Sequence, residues 1–102
     1  MAIRVIVCRG DLKKASEWAN RQTALKINSV QIREMLGLKF SRGDKLVLSI
    51  RDTMMIKCLR YGRNVILLGS FDTIEQIERI DEILQAQGDI DNAKYNFRVR
   101  DF

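Results

Sequence analysis

The sequence predicts one α/β domain over residues 1–102, three-layered, around a mostly parallel four-stranded sheet. Three observations carry this reading. Strand-like and helix-like segments alternate along the chain, two of the strand segments are almost wholly apolar, and Gly, Asn, Asp and Ser punctuate the junctions. A strand buried on both faces reads as a continuous apolar run, which is how a parallel sheet covered by helices declares itself. Right-handed crossovers between such strands give a doubly wound arrangement with the first and third strands at its centre.

The first strand is AIRVIVC at residues 2–8. Asp11 then opens a helix to about Gln22, with Leu12, Ala15 and Ala19 on one face and Trp18 beside them. Residues 24–27 read as a short strand. Asn28, followed three residues later by Gln31, resembles a capping box and starts a helix through Leu36 that Gly37 stops. The next helix starts within residues 41–44. The three-and-four spacing of Val47, Ile50, Met54, Cys58 and Tyr61 predicts its buried stripe, and Lys45, Arg51, Lys57 and Arg60 its exposed side.

The string NVILLG at residues 64–69 is the second fully apolar strand. Asp72 with Glu75 predicts a capped helix burying Ile74, Ile77, Ile80 and Leu84 and ending at Gly88. In residues 94–101, Tyr95, Phe97 and Val99 alternate with Asn96, Arg98 and Arg100, as expected of a strand covered on one face and lying at or near a sheet edge.

Composition excludes several function classes. Apolar residues make up 46% and charged residues 30% of the 102, enough apolar content for one packed core. There is no histidine, which removes Ser-His-Asp and Cys-His catalysis and the commonest zinc ligand. Cys8 and Cys58 are too few and too far apart for a disulfide scaffold or a thiolate metal site, and read as buried free thiols in a reducing cytoplasm. The aliphatic run from Val5 is far too short for a signal peptide or a membrane span.

The net charge of +5 is unevenly spread. Residues 1–63 hold 14 basic and 5 acidic side chains, residues 64–102 hold 4 and 8. A basic face favours an anionic partner, either an acidic protein surface or nucleic acid.

Local strings resemble the P-loop kinase domain of bacteriophage-type 5′-polynucleotide kinases. Ser16-Glu17-Trp18-Ala19 is similar to the Ser-Thr-Trp-Ala that follows the family's P-loop lysine. The segment Lys26-Ile27-Asn28-Ser29-Val30-Gln31-Ile32-Arg33 is similar to its strand and Asn-Arg-Asp-Asp-x-x-Arg segment, and Gly62-Arg63-Asn64-Val65-Ile66-Leu67 to its Gly-Arg-x-Val strand. The resemblance spans nearly the whole chain and implies a P-loop-kinase-like fold.

The departures concern the catalytic parts. A P-loop needs glycines whose N–H groups turn toward phosphate oxygens and a lysine that reaches the β and γ phosphates. The corresponding residues here are Arg9-Gly10-Asp11-Leu12-Lys13-Lys14-Ala15-Ser16, with Leu12 and Lys14 at glycine positions and Ala15 at the lysine. A left-handed conformation at each non-glycine residue costs roughly 1–2 kcal/mol. Asp11 sets a carboxylate where phosphate would sit, and two unit charges 4 Å apart repel by about 4 kcal/mol at an effective dielectric of 20. Val30 stands at the family's substrate-activating aspartate, Arg33 keeps its arginine, and Gly69-Ser70-Phe71 replaces its Asp-Thr-Asn segment. The sequence given ends at Phe102, before the lid helix of such kinases.

The resemblance with these departures implies a pseudokinase: no enzyme activity, no nucleotide or other cofactor, no metal and no catalytic residue. Its expected role is that of a protein-binding, inhibitory or regulatory factor, phage-encoded and directed at a host protein in the host cytoplasm, with no membrane partner. The alternative is a nucleic-acid-binding module without sequence preference. Candidate partner-binding residues are Arg33, Lys39, Arg42 and Lys45 in the basic middle of the chain and Arg98 and Arg100 on the last strand, whose edge also suits homodimerisation.

Overall fold

In the computed structural model, which describes residues 3–38, 44–69 and 73–102, the order of elements is β1 (Ile3–Arg9), α1 (Leu12–Asn20), β2 (Leu25–Asn28), α2 (Ser29–Met35), α3 (Asp44–Arg60), β3 (Val65–Leu68), α4 (Ile74–Asp91) and β4 (Tyr95–Asp101). The strands lie in the order β2-β3-β1-β4 and every pairing is parallel. The two most apolar strands, β1 and β3, take the centre because there both of their faces leave water. Val65, Ile66, Leu67 and Leu68 are all buried.

The two-residue period of a strand divides the core. Val5, Val7, Val65, Leu67 and Ile27 face α2, α3 and α4, where Ile32, Val47, Met55, Leu59, Ile77, Ile80 and Leu84 complete one cluster. Cys8, Ile66 and Leu68 face α1 and meet Ala15 and Ala19, with Ile6, Leu12, Trp18 and Phe102 packed around them. One helix therefore covers one side of the sheet and three cover the other, a three-layer α/β fold as the sequence predicts.

The local signals for helix boundaries hold in three places. Asp11 caps α1 by accepting from the Lys14 N–H, and Asn28 caps α2 by accepting from the Val30 N–H. Gly37, at φ 66°, takes the left-handed conformation just past α2. Thr73 caps α4, its hydroxyl accepting from the Gln76 N–H; the expected cap, Asp72, and the start of α3 within residues 41–43 lie outside the described residues.

Several expectations need correction. The buried row of α3 is Val47, Arg51, Asp52, Met55 and Leu59, whereas Met54 and Tyr61 are exposed and Ile50 and Cys58 lie at the cluster's margin. Arg51, expected on the exposed side, has no accessible surface, because a strict four-residue row from Val47 to Leu59 carries it inward. Ile74, the first residue of α4, is exposed. Gly88 does not end α4: the helix runs on to Asp91, and Asn92 in the left-handed conformation at φ 48° ends it. The smallness of Gly88 serves packing instead, as a Cβ there would lie 2.8 Å from the Ala93 carbonyl oxygen. On β4 the alternation fades after Phe97, and Val99 is exposed along with Arg98 and Arg100. Of the two thiols, Cys8 is buried and Cys58 only half-buried; both are free.

Candidate functional site

In a parallel α/β sheet, ligands sit beyond the carboxyl ends of the strands, where neighbouring strands send their connections in opposite directions. Here that point lies between β1, whose connection runs toward β2, and β3, whose connection crosses to β4. The residues gathered there are the Gly10–Asp11 turn, Ser29 and Val30 at the start of α2, Gly69 after β3, Asp101 at the end of β4 and Phe102 after it.

The turn from β1 to α1 is two residues long, because β1 ends at Arg9 and α1 begins at Leu12. Gly10 sits at φ 103°, and a Cβ there would lie 2.3 Å from the Phe102 carbonyl oxygen. That carbonyl accepts from the Asp11 N–H at 3.3 Å, while the Phe102 N–H donates to the Arg9 carbonyl at 2.8 Å. Phe102 thus lies against the turn. The Asp11 carboxylate takes the Lys14 N–H at 3.1 Å, one of the free donors at this helix start that could otherwise face an anion. Ala15 points into the core against the sheet and is 3% exposed, while Lys13 and Lys14, just before it, are exposed.

Beside the turn, the Arg9 Nε and Nη2 groups donate to the two Asp101 carboxylate oxygens at 2.6 and 3.1 Å, a fork-on-fork pair. The Arg9 hydrogen bonds hold the Asp101 carboxyl below its ordinary range. Gly69, at φ 78°, brings its backbone against α2: a Cβ would meet Ser29 Oγ at 2.6 Å and Val30 at 3.3 Å. Val30 is exposed at this end of the sheet. Ser70 and Phe71 lie outside the described residues.

The described candidate partner-binding residues lie on three elements, α2, α3 and β4. Arg33 on α2 pairs with Asp44 at the start of α3, so it joins two helices and supports their packing. Lys45 stands exposed on the next residue of α3, and Lys39 and Arg42 lie outside the described residues. Arg98 and Arg100 are exposed on β4, at the opposite edge of the sheet from β2. The Arg100 guanidinium lies 4.6 Å from the centre of the Trp18 ring and 5.5 Å from that of Phe102, and those two rings are 5.5 Å apart.

The sequence reading missed two polar clusters. In one, Asp52 joins Arg51 and Arg79. In the other, Asp91 accepts from Gln87 at 2.9 Å and from the Tyr95 hydroxyl at 2.7 Å and lies 3.5 Å from Arg60. The first could have been found from the four-residue row Val47, Arg51, Met55, Leu59. The contact between the β1–α1 turn and Phe102 had no local signal, as Arg9 and Asp101 are 92 positions apart.

Among the described residues there is no cluster of metal-ligating side chains, and no helix is long and apolar enough to cross a membrane. No known family pattern and no curated protein matches this chain. The solved structure of the Pnkp1/Rnl/Hen1 complex contains a chain with a similar fold, at a TM-score of 0.71 and 14% identity, over 99% of the present chain. The match spans 36% of that longer chain, and at this identity it is a likeness of fold.

Proposed function

We propose that this chain is a degenerate relative of the phage-type polynucleotide kinases that has given up phosphoryl transfer and acts as a protein-binding regulatory or inhibitory factor. The observation that carries the reading is the Gly10–Asp11 turn. A phosphate cradle needs a longer loop with inward N–H groups and a lysine at its end. Here two residues span the gap, the Asp11 carboxylate holds the Lys14 N–H, the Phe102 carbonyl lies against Gly10, and Ala15 is buried. An added triphosphate would meet one fixed negative charge and lose the helix start that should hold it.

The likeness to a chain of the Pnkp1/Rnl/Hen1 complex supports a kinase-like ancestry. A fold kept without its phosphate loop retains value as a surface, and by analogy with the phage kinases the surface serves a phage-encoded factor directed at a host protein. Titration calorimetry with Mg-ATP and Mg-GTP is the test. The expected result is no saturable heat; a low-micromolar dissociation constant for either nucleotide overturns the reading.

A further inference from the structure

β4 pairs with β1 along one side, and among the described residues no strand pairs with its other side. Such an edge presents a row of N–H and C=O groups to any extended chain. The register Ile6↔Arg98 and Cys8↔Arg100 places Asn96, Arg98 and Arg100 on the α1 face of the sheet. On that face α1 lies over β1 and β3, whereas the helix packed on β4 is α4, on the opposite face. Arg98 is exposed and, among the described residues, makes no ion pair; Arg4, one strand inward on the same face, makes none either. Arg100 is already held in place by the Trp18 and Phe102 rings.

We propose that the open side of β4 takes an extended acidic segment of a partner protein as an additional strand, with carboxylates two residues apart meeting Arg98 and Arg100. The inference rests on the protein-binding reading above and names the partner's chemistry. Side chains two apart on neighbouring strands share the same repeat, about 6.6 Å, so an alternating acidic segment stays in step with both arginines. Its intervening residues fall on the side of exposed Val99, where apolar side chains fit. Two rival occupants fit less well. A second copy paired through β4 would set Arg98 and Arg100 on the same face as their own counterparts, and like charges across strands repel. A nucleic-acid strand has no match for the row of backbone groups, and the Trp18 face that could stack a base is covered by Arg100.

The test is a titration of the full chain, labelled with nitrogen-15, with three probes: a short capped peptide alternating Glu and Val, a peptide of the same composition with its glutamates in one block, and oligo-thymidylate. The alternating peptide should bind at least about tenfold tighter than the blocked one, and Arg98→Glu should weaken it by about tenfold or more. Amide shifts should centre on Tyr95–Asp101, and the unfolding midpoint of the exposed Arg98→Glu variant should stay unchanged. Equal affinity for the two peptides, absence of peptide binding, shifts centred elsewhere or an indifferent Arg98→Glu variant each overturns the proposal. Tighter binding of oligo-thymidylate at the same strand overturns it in favour of nucleic acid, and self-association through β4 overturns it in favour of a second copy. Failure here with no nucleotide heat leaves the loss of phosphoryl transfer standing; nucleotide binding with intact peptide capture removes only that loss.

Discussion

Asp52 on α3 divides its carboxylate between two arginines. Oδ1 accepts from Arg51 Nε and Nη2 at 3.1 and 2.9 Å, and Oδ2 accepts from Arg79 Nε and Nη2, on α4, at 3.1 and 2.9 Å. Arg51 is fully buried, Asp52 nearly so, and the Arg79 side chain is half exposed. Burial pulls the Arg51 guanidinium below its ordinary value, and the Asp52 charge opposes that pull. Asp52→Ala should therefore destabilise the fold by about 3–5 kcal/mol, because it strands a buried cation. Arg79→Ala should cost about 1 kcal/mol or less, as its pair is partly solvated. Urea unfolding of the two variants measures both, and equal losses would disprove the ranking.

Gly10→Ala should destabilise the protein through two effects. The left-handed backbone costs roughly 1–2 kcal/mol for a side-chain-bearing residue, and the new methyl would drive into the Phe102 carbonyl. Displacement of Phe102 removes a ring 5.5 Å from Trp18, so the expected signature is a changed Trp18 emission spectrum alongside the lower unfolding midpoint.

At Gly88 the usual helix rule reverses. Replacing a mid-helix glycine by alanine ordinarily gains about 1 kcal/mol. The alanine methyl here would sit 2.8 Å from the Ala93 carbonyl oxygen, at the point where α4 turns into β4. Gly88→Ala should lower the thermal midpoint, and a raised midpoint would show that the turn can shift at little cost.

Burial pushes the Cys8 thiol up to about 11, against a smaller opposing pull from Arg100. The fold favours the neutral thiol, so its contribution is complete below the ordinary value of 9.0 and is lost as pH rises through about 11. Cys8→Ala should flatten this alkaline loss relative to the parent chain. In a thiol-reagent assay on the native protein, half-buried Cys58 should react first and Cys8 only on unfolding.

Asp91 governs the acid side. Hydrogen bonds from Gln87 and Tyr95, with the nearby Arg60, hold its carboxyl below the ordinary range. A depressed carboxyl stabilises the fold above its unfolded value, and that share is lost as pH falls through the folded value. Tyr95→Phe should weaken the hold, and Asp91→Asn should abolish this part of the acid dependence, as read from unfolding midpoints across the acidic range. An unchanged acid profile in Asp91→Asn would contradict the assignment.

Period and punctuation in the chain were sufficient to place the eight elements. Runs such as residues 64–69 have no polar face, so burial on both sides, and hence a central parallel strand, follows from composition alone. Asp11, Asn28 and Gly37 mark helix ends because the chemistry of a cap is local. The departures from a phosphate loop at Leu12, Lys14 and Ala15 were equally open to reading, being a matter of which residues lack glycine's freedom or lysine's charge.

Tertiary packing decided which partners the inward-turned charges find and what closes the β1–α1 turn. Arg51 looked like a surface residue because its burial depends on Asp52 beside it and Arg79 on another helix, 27 positions from Asp52. The same holds for Gly88, which local rules mark as a helix stop and which the approach of Ala93 keeps as a helix interior. The covering of Gly10 by Phe102 and the placing of Arg98 and Arg100 on an edge strand arise from strand order. Strand order is fixed by which apolar faces can be buried together, a property of the assembled sheet that no single segment carries.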